Sequence, residues 1–258
     1  PHVDTEYVVF LDNDLIVYPG WLEALLDCAD RTQAWVVGPV YLEGNDGSDR
    51  VHMAGGLAHI RLDQGRRCLV DQHLLAKRKL PEVRAELSMS PTELIEFHCV
   101  LVRRDVFDRL GPLDEDLLSL HEHIDLCLRV REAGGEVYLQ PDAVVRYTFD
   151  GALRWSDARY IAIRWSDEWN RRSLAKFTAK WRIADDDPAT PAAMQWANGH
   201  RRRLLRTWLR RWLPRPLRHG RVGWVALRLL ELSSRRLALN VAEPRAGQSR
   251  ARLVAAGS

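Results

Sequence analysis

"YVVFLDNDLIVYPGWLEALL", residues 7–26, joins an apolar β-branched run to a D-N-D turn and then to apolar residues at helical spacing. Tyr7 through Leu11 show no polar alternation, so "EYVVFLD" predicts a fully buried strand bounded by acid. Pro19 suits the first turn of a helix, and Trp21, Leu22, Leu25 and Leu26 then recur at its period. Asp12 and Asp14 stand just beyond the strand end, where both can face a crevice at the carboxyl edge of a sheet. Hard oxygen pairs of this kind suit Mg2+ or Mn2+, with phosphates and water completing the shell. On its own the turn reads first as a solvated one, because Asp and Asn favour turns anyway.

Working outward, "AWVVGPVYL" (34–42) predicts the next buried strand, closed by the loop "EGNDGSD". "VHMAGGLAHI" (51–60) reads as an edge strand or hairpin, and "LVDQHLLAKRKLPEVRAEL" (69–87) as weakly helical. "LIEFHCVLVRR" (94–104) is a further strand, followed by a short helix stopped at Gly111 and Pro112. "HIDLCLRVREAGG" predicts a helix ending at Gly134 and Gly135, and "EVYLQPDAVVRY" a strand pair turning at Pro141. Strands alternating with helices imply an α/β layer architecture over residues 1–150.

Beyond that the texture changes. Residues 151–198 form a Trp-rich helical extension carrying Trp155, Trp165, Trp169 and Trp181, with "ADDDPATPAA" (184–193) as a loop. Residues 199–240 read as basic amphipathic helices broken at Pro214 and Pro216, and residues 241–258 as a disordered tail. Charge divides the same way: residues 1–200 hold 23 basic and 33 acidic side chains, residues 201–258 hold 15 and 2. Such asymmetry points to an acidic body and a basic arm with a polyanionic partner.

The 258 residues, 46% of them apolar, suffice for one sizeable core. The four cysteines form no C-x-x-C pair, which excludes a zinc-ribbon or disulfide framework and reads as buried thiols in a reducing compartment. No apolar run is long enough for a bilayer span. His121 and His123 in "HEH" lack the i, i+4 spacing of a zinc-hydrolase helix. His52, His59, His73 and His98 show no ligand spacing either and read as ordinary core or surface residues.

Taken together, the motifs carry a resemblance. "YVVFLDNDLIVYPGWLEALL" resembles the D-x-D segment of the family-2 glycosyltransferases, which have the GT-A fold. "VHMAGG" is similar to a small glycine motif of that family. "EFHCVLVRRDVFDRLGPLDEDLLSLHEHIDLCLRVREAGGEVYLQPDAVVRY" resembles its acceptor-side half, and the match runs in order over about residues 5–150. The resemblance implies a Rossmann-like mixed sheet flanked by helices, with the basic helical extension appended. It implies an inverting, metal-assisted transfer of a hexosyl-type sugar from a nucleotide-diphosphate donor to a glycan or lipid-linked acceptor. Asp12, Asn13 and Asp14 would hold the donor, with Asp12 and Asp14 on Mn2+ or Mg2+ and Asp14 the more direct ligand. Trp21, Glu96 and His98 fall on the acceptor side.

The chain departs from the family pattern in three places. Where E-D-x-D-L is usual it reads Glu122-His123-Ile124-Asp125-Leu126, so His123 takes the place of the catalytic Asp. Glu122 is the expected base, followed by His123 and Asp125; a helix-start carboxylate such as Asp125 is also favoured by the helix dipole alone. Many relatives place a metal-binding His after the closing strand; here Tyr147, Thr148 and Asp150 stand there instead. The chain also enters its first strand almost at Pro1, so the expectation is that it lacks the N-terminal nucleotide-binding portion.

Two further readings follow. A truncated or degenerate, non-catalytic transferase-like module would bind a partner or membrane rather than turn over. Residues 201–236 hold 12 Arg and one Glu among Trp and Leu, which fits a helix lying on anionic lipid at the inner face of the cytoplasmic membrane. The same residues fit equally a helix packed on the acidic body with its Arg stems snorkelling. Nucleic acid ranks below both, because no groove-reading or base-stacking motif accompanies the arm.

Overall fold

The computed structural model describes residues 3–44, 47–148, 157–212, 214, 222–226, 228–229 and 232–233. The chain divides into two compact units, one made of residues 1–150 and 174–191, the other of 151–173 and 192–258.

The first unit is built on a seven-stranded mixed sheet. Its strands are β1 (Tyr7–Leu11), β2 (Leu15–Val17), β3 (Val36–Glu43), β4 (Arg50–Met53), β7 (Ser90–Pro91), β8 (Cys99–Arg103) and β9 (Val137–Tyr147). The main path runs β1-β8-β3-β9-β2, with β4 on β3 and β7 on β9. The apolar run "VVGPVYL" becomes the central strand β3, buried along almost its whole length, as expected of a strand covered on both faces. β3 and β9 are parallel, while β8 is antiparallel to both β3 and β1. The chain therefore runs in the same direction in β1, β3 and β9, and Asp12, Gly44 and Thr148 leave the sheet at one carboxyl edge.

The remaining pair, β5 (Gly56–Asp63) and β6 (Arg66–His73), forms a separate hairpin. Its two-residue turn, Gln64-Gly65, has φ of 50° and 80°, the left-handed pair that matches strand twist in a tight hairpin. α1 (Trp21–Thr32) buries Leu25, Cys28 and Ala29 and packs on β3 and β9. The short α2 (Leu80–Val83) and α3 (Asp105–Leu110) precede α4 (Glu122–Glu132), whose Ile124, Leu126, Cys127, Leu128 and Val130 enter the same core. All four cysteines are free and buried.

Four local expectations are corrected. β1, expected to be fully buried, ends the sheet path and is half-buried over residues 7–10 and exposed at Leu11, because among the described residues no strand covers its outer edge. Residues 69–73 are the end of β6 rather than helix, so only Leu80–Val83 and a 3-10 turn remain of that helix. Apolar β5 neighbours supply a pairing partner that local propensity cannot register. The strand expected over 94–104 begins at Cys99, leaving Glu96 and His98 in the approach loop. "EVYLQPDAVVRY" is one continuous strand rather than a pair. Its pairing with β3 shifts register between Gly38 and Val40, opposite the segment containing Pro141, which is how a sheet accommodates a residue without an N–H.

Gly38 sits at that irregularity for a steric reason. A Cβ there would lie 2.3 Å from Ile95 Cγ2, so the glycine admits the Ile95 side chain and with it the loop that carries Glu96.

The second unit contains α5 (Ala158–Arg164), the start of α6 (Asp167–Trp181) and most of α7 (Ala189–Trp212). The first half of "ADDDPATPAA" is a turn as expected, but α7 begins at Ala189 within it. Within this unit the Arg201 guanidinium is 2% exposed and donates to Asp167 Oδ1 at 2.8 Å, the Trp165 carbonyl at 3.0 Å and Asn198 Oδ1 at 2.8 Å. Leu204 and Leu205 are buried while Arg202, Arg203, Arg206, Arg210 and Arg211 face outward. The disordered tail expected over 241–258 lies outside the described residues.

Candidate functional site

β1 ends where β8 begins, and this junction brings the D-N-D turn onto the "EFHC" loop. The Asp12 N–H donates to the His98 carbonyl at 2.9 Å, and His98 Nδ1 meets Asp12 Oδ2 at 2.7 Å. Asp14 is tied to the end of β9: its carbonyl accepts from the Thr148 N–H at 3.0 Å and from the Thr148 hydroxyl at 3.2 Å. The Tyr147 side chain hydrogen-bonds the Asp14 carboxylate, and the Tyr147 ring lies 4.9 Å from that of His98. Burial, then the Asp12 carboxylate, raise Asp14 above the ordinary aspartate pKa. Two neighbouring carboxylates, one of them half-buried, are a donor set of hard oxygens suited to a divalent cation. Asn13 is exposed at the tip of the turn, and Asp150 lies outside the described residues.

His98 continues inward. Its Nε2 is 3.2 Å from Glu96 Oε2, which also lies 3.1 Å from His52 Nε2, while Glu96 Oε1 is 3.3 Å from His73 Nε2. His52 Nδ1 approaches Glu43 Oε2 at 3.5 Å. The Glu96 side chain is 11% exposed, and its backbone carbonyl accepts from the buried Tyr41 hydroxyl at 2.9 Å. Burial would raise the Glu96 pKa, but the hydrogen bond from His52 and the charges of His98, His52 and His73 hold it far below the usual carboxylate range. Burial would likewise depress His52 and His98; pairing with Glu96, and with Asp12 for His98, outweighs it and raises both. His73 goes the other way: burial lowers it against the pull of Glu96, with His52 and His123 adding to the effect.

The reading of His52, His73 and His98 as ordinary residues is thus corrected: with Glu96 and Asp12 they make one connected cluster. They come from β4, the end of β6 and the loop before β8, 21 to 46 positions apart, so no spacing motif announces them. His59 stands apart, 2.6 Å from Glu93. A cavity of about 300 Å3 lined by His59, Ile60, Arg67, Leu128, Arg131 and Glu132 includes none of the cluster.

The "HEHID" segment opens α4. The His123 charge acts on both His73 and His121, so this helix start lies within electrostatic range of the histidine cluster. Glu122 is half-buried beside it. His121, with φ of 66°, packs on Phe177 at 4.7 Å, and burial with His123 adding pushes it down to about 3. Asp125 points elsewhere: its Oδ1 accepts from Trp181 Nε1 and its Oδ2 from Lys180 Nζ, each at 2.8 Å, and it is 2% exposed. Trp21 opens α1 and packs against the main core.

The sequence model described as "Glycosyltransferase like family 2" matches residues 1–167. The pre-mycofactocin glycosyltransferases of two strains of Mycobacterium tuberculosis are each 30% identical over 151 residues, which is 58% of this chain and 28% of theirs. The chain thus spans less than a third of the length of these curated relatives. Among solved structures, that of GalNAc-T7 with UDP, GalNAc and Mn2+ is similar at 15% identity and a TM-score of 0.39, over 75% of this chain and 40% of that one. A family match over well more than half of the chain, on a mixed α/β sheet flanked by helices, identifies the protein: it belongs to the glycosyltransferase-like family 2.

Proposed function

We propose that this chain transfers a sugar from a nucleotide-diphosphate donor to a glycan or lipid-linked acceptor, with inversion and with a divalent cation, Mn2+ or Mg2+, at Asp12 and Asp14. The observation that carries the reading is the D-N-D turn at the carboxyl edge of the sheet, braced by His98 on one side and by Thr148 and Tyr147 on the other. When bound, the cation would neutralise the departing diphosphate. The protein's own groups do the rest. Asp12, Asn13 and Asp14 hold the donor, Trp21 and the Glu96–His98 loop border the acceptor, and Glu122 takes the proton of the attacking hydroxyl. His123 is the next candidate for that proton, since an imidazole can serve as base. Asp125, with each carboxylate oxygen already hydrogen-bonded, is assigned a structural role joining α4 to α6.

The curated relatives are named for pre-mycofactocin; the transfer is carried to this chain and that acceptor is not. Isothermal titration with a panel of nucleotide-sugars in the presence of Mn2+ tests the proposal, and at least one donor is expected to bind with saturable heat. Silence across the panel would favour the rival reading, a non-catalytic module, which His123 in the position of the usual Asp motivates.

A second proposal concerns the basic arm, set against the inner face of the cell membrane. Val222, Trp224, Val225, Leu229 and Leu232 are exposed, and Arg residues on α7 face outward. Among the described residues no helix is long and apolar enough to cross a membrane, so the arm would lie on the surface. The full chain is expected to float with anionic liposomes and a chain ending at residue 200 to stay behind. Equal flotation of both would count against it.

A further inference from the structure

We propose that His52, His73 and Glu96 form a second cation site, of the zinc class, distinct from the D-N-D turn. The proposal stands whether or not the transferase reading does. One ligand atom from each of the three side chains lies within 4.8 Å of the other two. His52 Nε2 lies 3.1 Å from Glu96 Oε2 and His73 Nε2 lies 3.3 Å from Glu96 Oε1, so each imidazole stands from one oxygen of the shared carboxylate at about the spacing between ligands that sit about 2.0–2.1 Å from a zinc ion. Small inward adjustments of the three side chains would supply three ligands and leave a fourth position open.

Each ligand is held by the fold. His52 lies between the buried Val51 and Met53, whose ladder partners on β3 are Leu42 and Tyr41. His73 ends the hairpin opposite Gly56, and the next residue is locked by the Leu74 N–H to the Gly55 carbonyl at 3.0 Å. Glu96 is fixed through its backbone by the Tyr41 hydroxyl. Surrounding groups match those that orient metal ligands in proteins: Glu43 faces the far nitrogen of His52, and His98 contacts Glu96.

The donor chemistry separates this site from its neighbour. Two imidazoles and one carboxylate favour Zn2+ and related transition metals, whereas a purely carboxylate turn suits Mg2+ or Mn2+. The side chains of His52 and His73 are 26% and 28% exposed, leaving a face for the ion to approach and for water or a ligand oxygen to complete the shell. His98 links the two places, touching Glu96 with one nitrogen and Asp12 with the other. A bound ion would therefore steady the D-N-D turn through a two-bond chain.

The test is equilibrium dialysis of the full chain, stripped with chelator, against Zn2+ alone, with metal content measured by mass spectrometry. One Zn2+ per chain is expected, undisturbed by millimolar Mg2+. H52Q and H73Q should each weaken it at least about 10-fold, while Asp12→Ala/Asp14→Ala should retain it. Co2+ bound to the unmodified chain provides a readout independent of whether the variants fold, and the strong visible absorption of a four-coordinate ion is expected. Zn2+ retention unchanged in both histidine variants, loss on removal of Asp12 and Asp14 instead, or no stoichiometric Zn2+ and no such absorption would each overturn the proposal. In the last case the cluster is held by protons alone.

Discussion

Asp14→Ala is expected to cut sugar transfer by roughly a hundred-fold or more, the scale of losing one electrostatic contact to a developing charge. Asp14 is half-buried and its carboxylate lies near that of Asp12, so a cation at the turn relieves a repulsion that the fold itself imposes. Removing the side chain would remove both the proposed ligand and the repulsion that favours a cation there. Its backbone carbonyl still accepts from Thr148, so β2 and the end of β9 stay joined and stability should change little. Mn2+-dependent binding of nucleotide-sugar should fall in parallel with turnover. A variant that turns over normally would remove the main support for the metal-assisted reading.

Asp125→Ala is expected to act through stability instead. Asp125 is 2% exposed and takes hydrogen bonds from the Trp181 indole and the Lys180 ammonium, which joins α4 to α6 within the first unit. Truncation strands a buried indole N–H and leaves Lys180 with Asp114, at 3.3 Å. The Lys180 side chain is 28% exposed and can recover water, so the cost is placed at about 2–4 kcal/mol rather than at the upper range for broken buried pairs. Thermal unfolding should shift down by roughly 5–15 °C for a body of this size. Below that transition the remaining folded protein should keep its turnover number. A large loss of turnover with unchanged melting would return Asp125 to the acceptor site as a catalytic group.

The two variants illustrate how far residue patterns reach. Both aspartates were legible as candidates because they fall in motifs of a recognisable order, D-N-D and the acidic start of "HEHID". Their separate roles were not legible, because a motif does not say which way a carboxylate points. Asp125 faces Lys180 and Trp181, 55 and 56 positions away, and that pairing depends on where α6 lies. Glu96 and His98 were expected on the acceptor side, although inside a strand rather than in the loop before it. Ladder pairing, not propensity, set the start of β8 at Cys99.

The sequence by itself determined the layer architecture, since an unbroken apolar run such as "VVGPVYL" can satisfy its backbone only at the centre of a covered sheet. It also determined that Asp12 and Asp14 share one turn, because both are local to the end of β1. Tertiary structure alone decided the histidine cluster. His52 and Glu96 are 44 positions apart, and His73 belongs to a hairpin whose register selects the face it presents. Such long-range convergence is set by strand pairing and packing, and leaves no periodicity in the chain to be read beforehand.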